Sequence, residues 1–298
     1  MAAPTCSFPR TLPNVQLGRM QTRSRRGRIP TVCCASDPKN PIRDAAIFAV
    51  DTFVESGDIV GLGTGEMSKH VFEYIREQLD SSSLKDVKCM PTSDAAATEA
   101  AYHGLPQTAI GSEDKVDVVF QEVDVMDPSD CSFVSGWAKE NQQPQIMRAR
   151  LVLNKADECV ALVDSQSKVV ERLGGSIPVV IEGETWEDTA EEIDTIFLGD
   201  AEIWRRGNDP ECNPRGEPSP YISQEGHNVI DVRFYEPFKL YGEKCSYEKI
   251  SNEIMAVEGV VTHGLVLDKI TAAVVASDEG PLIIKPEVAK SEAVASDE

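Results

Sequence analysis

The chain has 298 residues, 41% hydrophobic and 6% aromatic, enough apolar material to bury one large core or two smaller ones and to exclude intrinsic disorder. Fifty Asp and Glu against 29 Lys and Arg give a formal net charge of −21, a balance that repels nucleic acid and anionic lipid, so neither is an expected partner. No run of 18 apolar residues occurs, so nothing is expected to span a bilayer as a helix.

The charge is uneven along the chain. Residues 1–36 carry six arginines (Arg10, Arg19, Arg23, Arg25, Arg26, Arg28) and no acid, so this segment is +6 and the remainder −27. An acid-free leader rich in Arg, Ser and Thr has the composition of an organelle transit peptide, and it lacks the continuous apolar stretch of a secretory signal. Val32-Cys33-Cys34-Ala35 resembles the small-residue processing sites of chloroplast precursors. The expected location is therefore the chloroplast stroma, with a permanently attached basic arm as the alternative.

After the leader, Asn40-Pro41 is a helix start with Asn as N-cap and Pro at the first helical position. Ala46, Ile47, Val50, Phe53 and Val54 then form one buried stripe before the break at Ser56-Gly57. Ile59 to Leu62 is a short apolar strand, Gly63-Thr64-Gly65 a tight turn, and Glu66 to Leu79 the next helix. Further strands are expected at Val87 to Met90, Val116 to Phe120 and Cys159 to Val163, with helices at Ala95 to Tyr102 and Gln145 to Val152. This alternation predicts an α/β fold: a mostly parallel, Rossmann-like sheet with helices on both faces.

From Pro178 the order becomes strand Val179 to Glu182, helix Glu187 to Phe197, strand Ala201 to Arg205, strand Asn228 to Phe234, helix Ser246 to Val257, strand Gly259 to Val266. That is the split β-α-β of a small ferredoxin-like α+β domain, expected over 179–261. The proline-rich stretch Asn208 to Pro220 reads as a solvent-facing insertion. Ala272 to Ala276 returns to the large domain, made of 37–178 with 262–285. The repeated Val-Ala-Ser-Asp-Glu at 275–279 and 294–298 leads to a tail, 286–298, expected to be disordered.

Eight cysteines are present, with Cys6, Cys33 and Cys34 in the leader and Cys89, Cys131, Cys159, Cys212 and Cys245 widely spaced after it. Together with the scattered His70, His103, His227 and His263, this spacing supports neither a disulfide framework nor a metal site. No metal or cofactor is expected.

Gly57-Asp-Ile-Val-Gly-Leu-Gly-Thr-Gly65, set between two helices, resembles the opening of the ribose-5-phosphate isomerase A family. Pro91 to Glu99 is similar to that family's Ser-rich loop, Val160 to Gly175 to its strand and lysine turn, and Glu258 to Leu265 to the strand returning from its small domain. The resemblance spans roughly residues 41–285. It implies cofactor-free interconversion of ribose 5-phosphate and ribulose 5-phosphate, used in the pentose phosphate pathway or carbon fixation, with a small sugar phosphate as partner and a homo-oligomer as one expected state. The chemistry needs a carboxylate to move a proton between C1 and C2, polar groups for the oxygens and a cradle for the phosphate.

The resemblance places the phosphate at Gly63, Thr64 and Gly65, where a helix N-terminus favours an anion, with Lys168 and Arg43 as basic contacts. It places Ser93 and Asp94 in a substrate loop. Taken alone, Gly-x-Gly reads equally as a tight turn. Glu66 stands where the family has a hydroxyl residue, and a carboxylate about 4 Å from a phosphate costs on the order of 4 kcal/mol per unit charge at an effective ε near 20.

The family's Asp-Gly-Ala-Asp-Glu segment corresponds to Gln121-Glu122-Val123-Asp124-Val125, with Asp124 as the matching catalytic carboxylate. A shifted register would instead use Asp127 and Asp130. Ser135 replaces the expected loop lysine, Arg148 matches, and Ala149 stands where the resemblance expects the proton-transferring glutamate. Two readings follow: a plastid isomerase whose base lies at a neighbouring carboxylate such as Glu122 or Asp127, or an inactive relative serving as a binding or assembly module. A different sugar-phosphate or acyl chemistry on the same scaffold is a third.

Overall fold

The computed structural model describes residues 40–109, 111, 115–137, 145–209 and 214–286. The expected transit peptide and all but Pro286 of the expected tail lie outside these residues. In chain order the elements are α1 (Pro41–Phe53), β1 (Ile59–Leu62), α2 (Glu66–Asp80), β2 (Lys88–Pro91), α3 (Asp94–Tyr102), β3 (Val116–Glu122), β4 (Val125–Met126), β5 (Phe133–Val134), α4 (Ile146–Lys155) and β6 (Ala156–Val163). There follow β7 (Ser176–Ile181), α5 (Trp186–Ile196), β8 (Ala201–Arg205), β9 (Asn228–Phe234), β10 (Lys239–Leu240), β11 (Glu243–Lys244), α6 (Tyr247–Ala256), β12 (Val260–His263), β13 (Leu265–Val266), β14 (Ala272–Val275) and β15 (Leu282–Ile284).

The large sheet has the order β15-β14-β6-β3-β1-β2, and every pair is parallel except β14 with β15. Its strands read as apolar runs because both faces are covered. Val60, Leu62, Val118, Phe120, Val160 and Leu162 face α1, α2 and α3. The alternate positions Val119, Cys159, Ala161 and Val163 pack with Val152 and Leu153 of α4. Gly61 marks how tightly α4 approaches: a Cβ there would fall 2.7 Å from Val119 Cγ2 and 2.8 Å from Val152 Cγ1. At the N-terminus of α1, Asn40 accepts from the Ile42 and Arg43 amides, the capping its sequence position dictates.

The second sheet is antiparallel in the order β12-β7-β9-β8, with α5 and α6 packed on one face through Ile193, Phe197, Ile250 and Ile254. This is the ferredoxin-like arrangement. The expected single strand over 259–266 is divided. Its first half pairs with β7 and its second with β5, in a third sheet ordered β13-β5-β4. The chain switches partners at Gly264, where a side chain would overlap the Ser135 carbonyl oxygen. The expected return strand is β14, and the three-residue β15 beside it carries too short a pattern to read from sequence.

The described residues form one compact unit. Arg150 of α4 donates to the carbonyls of His263 (3.2 Å) and Leu265 (2.8 Å). Tyr247 of α6 donates to Asp127 Oδ2 (2.7 Å) and accepts from the Leu173 amide (2.8 Å). The described part of the proline-rich stretch is largely exposed yet tied at its base, where the Asn208 amide donates to the Ser219 carbonyl (2.9 Å) and the Tyr221 amide to the Arg206 carbonyl (2.9 Å). Among the described residues no helix is long and apolar enough to cross a membrane.

Replacing Tyr247 by Phe removes both hydrogen bonds and leaves the buried Leu173 amide without its partner. The expected loss is about 1–3 kcal/mol of unfolding free energy, read as a lower urea midpoint with an unchanged slope.

Candidate active site

The parallel strands β1, β3 and β6 end at one edge of the large sheet, the edge where open α/β folds form a crevice. A cavity of about 580 Å³ lies there, lined by Thr64 and Gly65 after β1, by Glu122 and Asp124 at the end of β3, and by Asp164 and Lys168 after β6. A second cavity of about 400 Å³ shares Thr64 and Ala95 with it and extends past Ser93 and Asp94 to Tyr221 and Gln224.

The main feature at this edge is Glu122. Its carboxylate accepts from the backbone N–H of Met67 (3.3 Å) and Ser68 (3.1 Å) and from the Ser68 hydroxyl (3.0 Å), at the N-terminus of α2. A helix start has unpaired amides and partial positive charge, and this one holds an anion supplied by the chain itself. Gly65, with φ of 152°, makes the fit possible, because any side chain there would fall inside the Glu122 carboxylate. Burial pushes the Glu122 carboxyl above the ordinary glutamate range. The Ser68 and Met67 donors oppose that shift, and the nearby Asp164 charge adds to it.

Asp124 lines the same cavity and accepts from the Trp137 amide (3.0 Å), so the turn after β5 fixes its carboxylate. Lys168, in the 3₁₀ turn Gln166–Lys168, lies 2.9 Å from both oxygens of Asp164 and hydrogen-bonds to Oδ2. Glu66 pairs with Lys69 (2.9 Å), which lowers the pKa of the acid and raises that of the lysine. The charge expected to repel an anion is thus partly compensated within its own helix.

The residues expected from sequence separate into three groups. Thr64, Gly65, Asp124 and Lys168 share the larger cavity. Ser93 and Asp94 line the smaller one. Ser93 caps α3 through the Ala96 amide (3.0 Å), and Asp94 is paired with Arg148 (3.0 Å) and accepts from Gln224. Arg43 and Gly63 are elsewhere. Arg43 reaches Glu77 (3.4 Å) between α1 and α2, and the Gly63 amide is spent on the Phe120 carbonyl (3.1 Å).

Ala149 lies on α4 and does not line either cavity. Asp127 and Asp130 are also not at this edge. Asp127 is buried against Tyr247 and Ser129, and Asp130 accepts from the Ser132 amide, so the shifted register brings no carboxylate to the cavity. The role of Glu122 as the internal anion is visible only in three dimensions. Its sequence signal is the i, i+2 spacing to Asp124 at a strand end, which can turn both carboxylates to the same side.

Because Glu122 occupies the start of α2, Glu122→Ala should open an anion site there. Inorganic phosphate is expected to raise the melting temperature of that variant more than that of the unmodified protein, in a salt-dependent way.

The family model described as ribose 5-phosphate isomerase A (phosphoriboisomerase A) matches residues 88–280. The Arabidopsis thaliana protein named "Probable ribose-5-phosphate isomerase 2" is 29% identical over 259 residues, covering 83% of this chain and 89% of that one. "Ribose-5-phosphate isomerase A" of Synechococcus sp. is 26% identical over 241 residues, 80% of this chain and 94% of its own. Among solved structures, a ribose 5-phosphate isomerase from Plasmodium falciparum shares the fold, with a TM-score of 0.71 at 24% identity over 83% of this chain and 99% of that one. With the family model running from β2 through the ferredoxin-like sheet to β14, the chain belongs to the ribose 5-phosphate isomerase A family.

Proposed function

We propose that the protein interconverts ribose 5-phosphate and ribulose 5-phosphate, with Glu122 as the proton-transfer group. The observation that carries this reading is a buried carboxylate of raised pKa, bound to a helix N-terminus and opening onto a cavity at the carboxyl edge of the parallel sheet. Glu122 as carboxylate takes the C2 proton of the open-chain aldose, and the freed electron pair forms the C1–C2 double bond of an enediolate. Return of that proton to C1, with the O2 proton passing to O1, gives the ketose with no net gain or loss of protons. As Glu122 takes the proton and becomes neutral, the positive end of α2 that it had held is left to offset the negative charge developing on the enediolate. Asp124, oriented by the Trp137 amide, holds the substrate hydroxyls. Lys168 supplies the positive charge for the phosphate, assisted by the Thr64-Gly65 turn.

This arrangement gives proton transfer a group although Ala149 has none. Together with family membership it makes an inactive binding or assembly module the less favoured reading. The acid-free leader supports work in the chloroplast stroma, in the pentose phosphate pathway or carbon fixation.

Glu122→Gln should lower kcat about 10²- to 10⁴-fold. Because the folded-state pKa of Glu122 is raised, the catalytic carboxylate form is lost as pH falls through a value above the roughly 4.3 of free glutamate. The acid limb of the rate–pH profile should therefore lie above that value, and it should be absent from any residual rate of the glutamine variant. Full turnover by Glu122→Gln would rule out this base. Residues 1–40 fused to a fluorescent reporter should enter chloroplasts, and a cytosolic signal would exclude that location.

A further inference from the structure

The Trp137 amide fixes Asp124, and the turn that carries it is held from the other sheet. Gly136 turns the chain with φ of 91° and lines the cavity beside Asp124. Its carbonyl accepts from Arg206 Nη1 at 2.7 Å. Arg206 follows β8, and its Nε donates to Asp231 Oδ2 of β9 at 3.0 Å while Nη2 donates to Oδ1. The two side chains are only 10% and 8% exposed.

The bidentate pair with Asp231 leaves Nη1 to extend beyond the ferredoxin-like sheet. A planar guanidinium can make the fork and the third bond together, which an ammonium cannot do in the same geometry. The Gly136 carbonyl and the Trp137 N–H belong to one peptide group. The sequence of contacts is therefore Asp231 carboxylate, Arg206 guanidinium, one peptide unit, Asp124 carboxylate. A cation on the oxygen of a peptide polarises its N–H, and the bond to an ionised acceptor strengthens in response.

We propose that Arg206, clamped by Asp231, is a positioning residue for the isomerase site, setting the Gly136–Trp137 peptide so that its N–H holds Asp124 for the substrate. The proposal rests on the isomerase reading above. Arg206 touches no substrate in this scheme and acts through Trp137 and Asp124.

The test compares the unmodified protein with Arg206→Lys and with the double variant Arg206→Met, Asp231→Leu, which removes the buried pair without leaving a lone charge. Two readouts are taken: steady-state isomerisation of ribose 5-phosphate against pH, and hydrogen exchange of the Trp137 amide by NMR. In variants whose β9 amides stay protected as in the unmodified protein, kcat should fall about 10- to 100-fold, the scale of a misplaced catalytic group, with KM changed less than about twofold. The acid limb of the kcat profile, which belongs to Glu122 and its own partners, should stay in place, and the Trp137 amide should exchange faster.

A folded variant that keeps kcat overturns the proposal, as does one that loses kcat while the Trp137 amide stays protected. If the unmodified protein does not turn over ribose 5-phosphate, the isomerase reading fails. The Trp137 exchange then still decides whether Arg206 holds the turn.

Discussion

A carboxylate at the end of β3 binds the backbone amides at the start of α2, and the form of the cavity follows from that contact. Glu122 ties the third strand of the large sheet to the helix that follows the first, so two segments 54 and 55 residues apart in the chain are held at one point. The contact needs Gly65, because only an absent side chain leaves room for the carboxylate. It also needs burial, which raises the free energy of the ionised form and so makes the group a more willing proton acceptor than a surface glutamate. Structural fixation and reactivity therefore come from the same few atoms.

Charge around this point is arranged in local pairs. Lys69 serves Glu66 one turn along α2, Lys168 serves Asp164 within its own turn, and Arg148 of α4 serves Asp94 at the start of α3. Each pair spans two groups of opposite sign at close range, so an acidic chain still presents positive charge inside the crevice. A substrate phosphate would draw on such a cation by sharing it with the carboxylate already present, which keeps the cation placed before the ligand arrives.

The parallel sheet was legible because its strands are short, apolar on both faces and separated by amphipathic helices. Ile59 to Leu62 agrees with the structure to the residue, and the Asn40-Pro41 start of α1 follows from local chemistry. Less was legible where a contact is distant in sequence. The two-residue strands Val125–Met126 and Phe133–Val134 have no periodicity to detect, and the division of 259–266 depends on Ser135 and Pro178 crowding Gly264. For the site, the turn Thr64-Gly65, Asp124 and Lys168 could be found by resemblance. That Arg43 faces Glu77 and that Glu122 takes the helix start depend on side-chain direction, which linear spacing leaves open.

The stretch from Val260 to Val266 belongs to two sheets, with four residues in the first strand and two in the second. A hinge between the ferredoxin-like sheet and the body would have to unzip one of those pairings, and the Arg150 bonds to both halves act as a splint across the joint. Rigid-body gaping is therefore an expensive way to admit a ligand. A ligand would instead enter past the rim, where Lys168 and Gln224 are held only by side-chain bonds to Asp164 and Asp94.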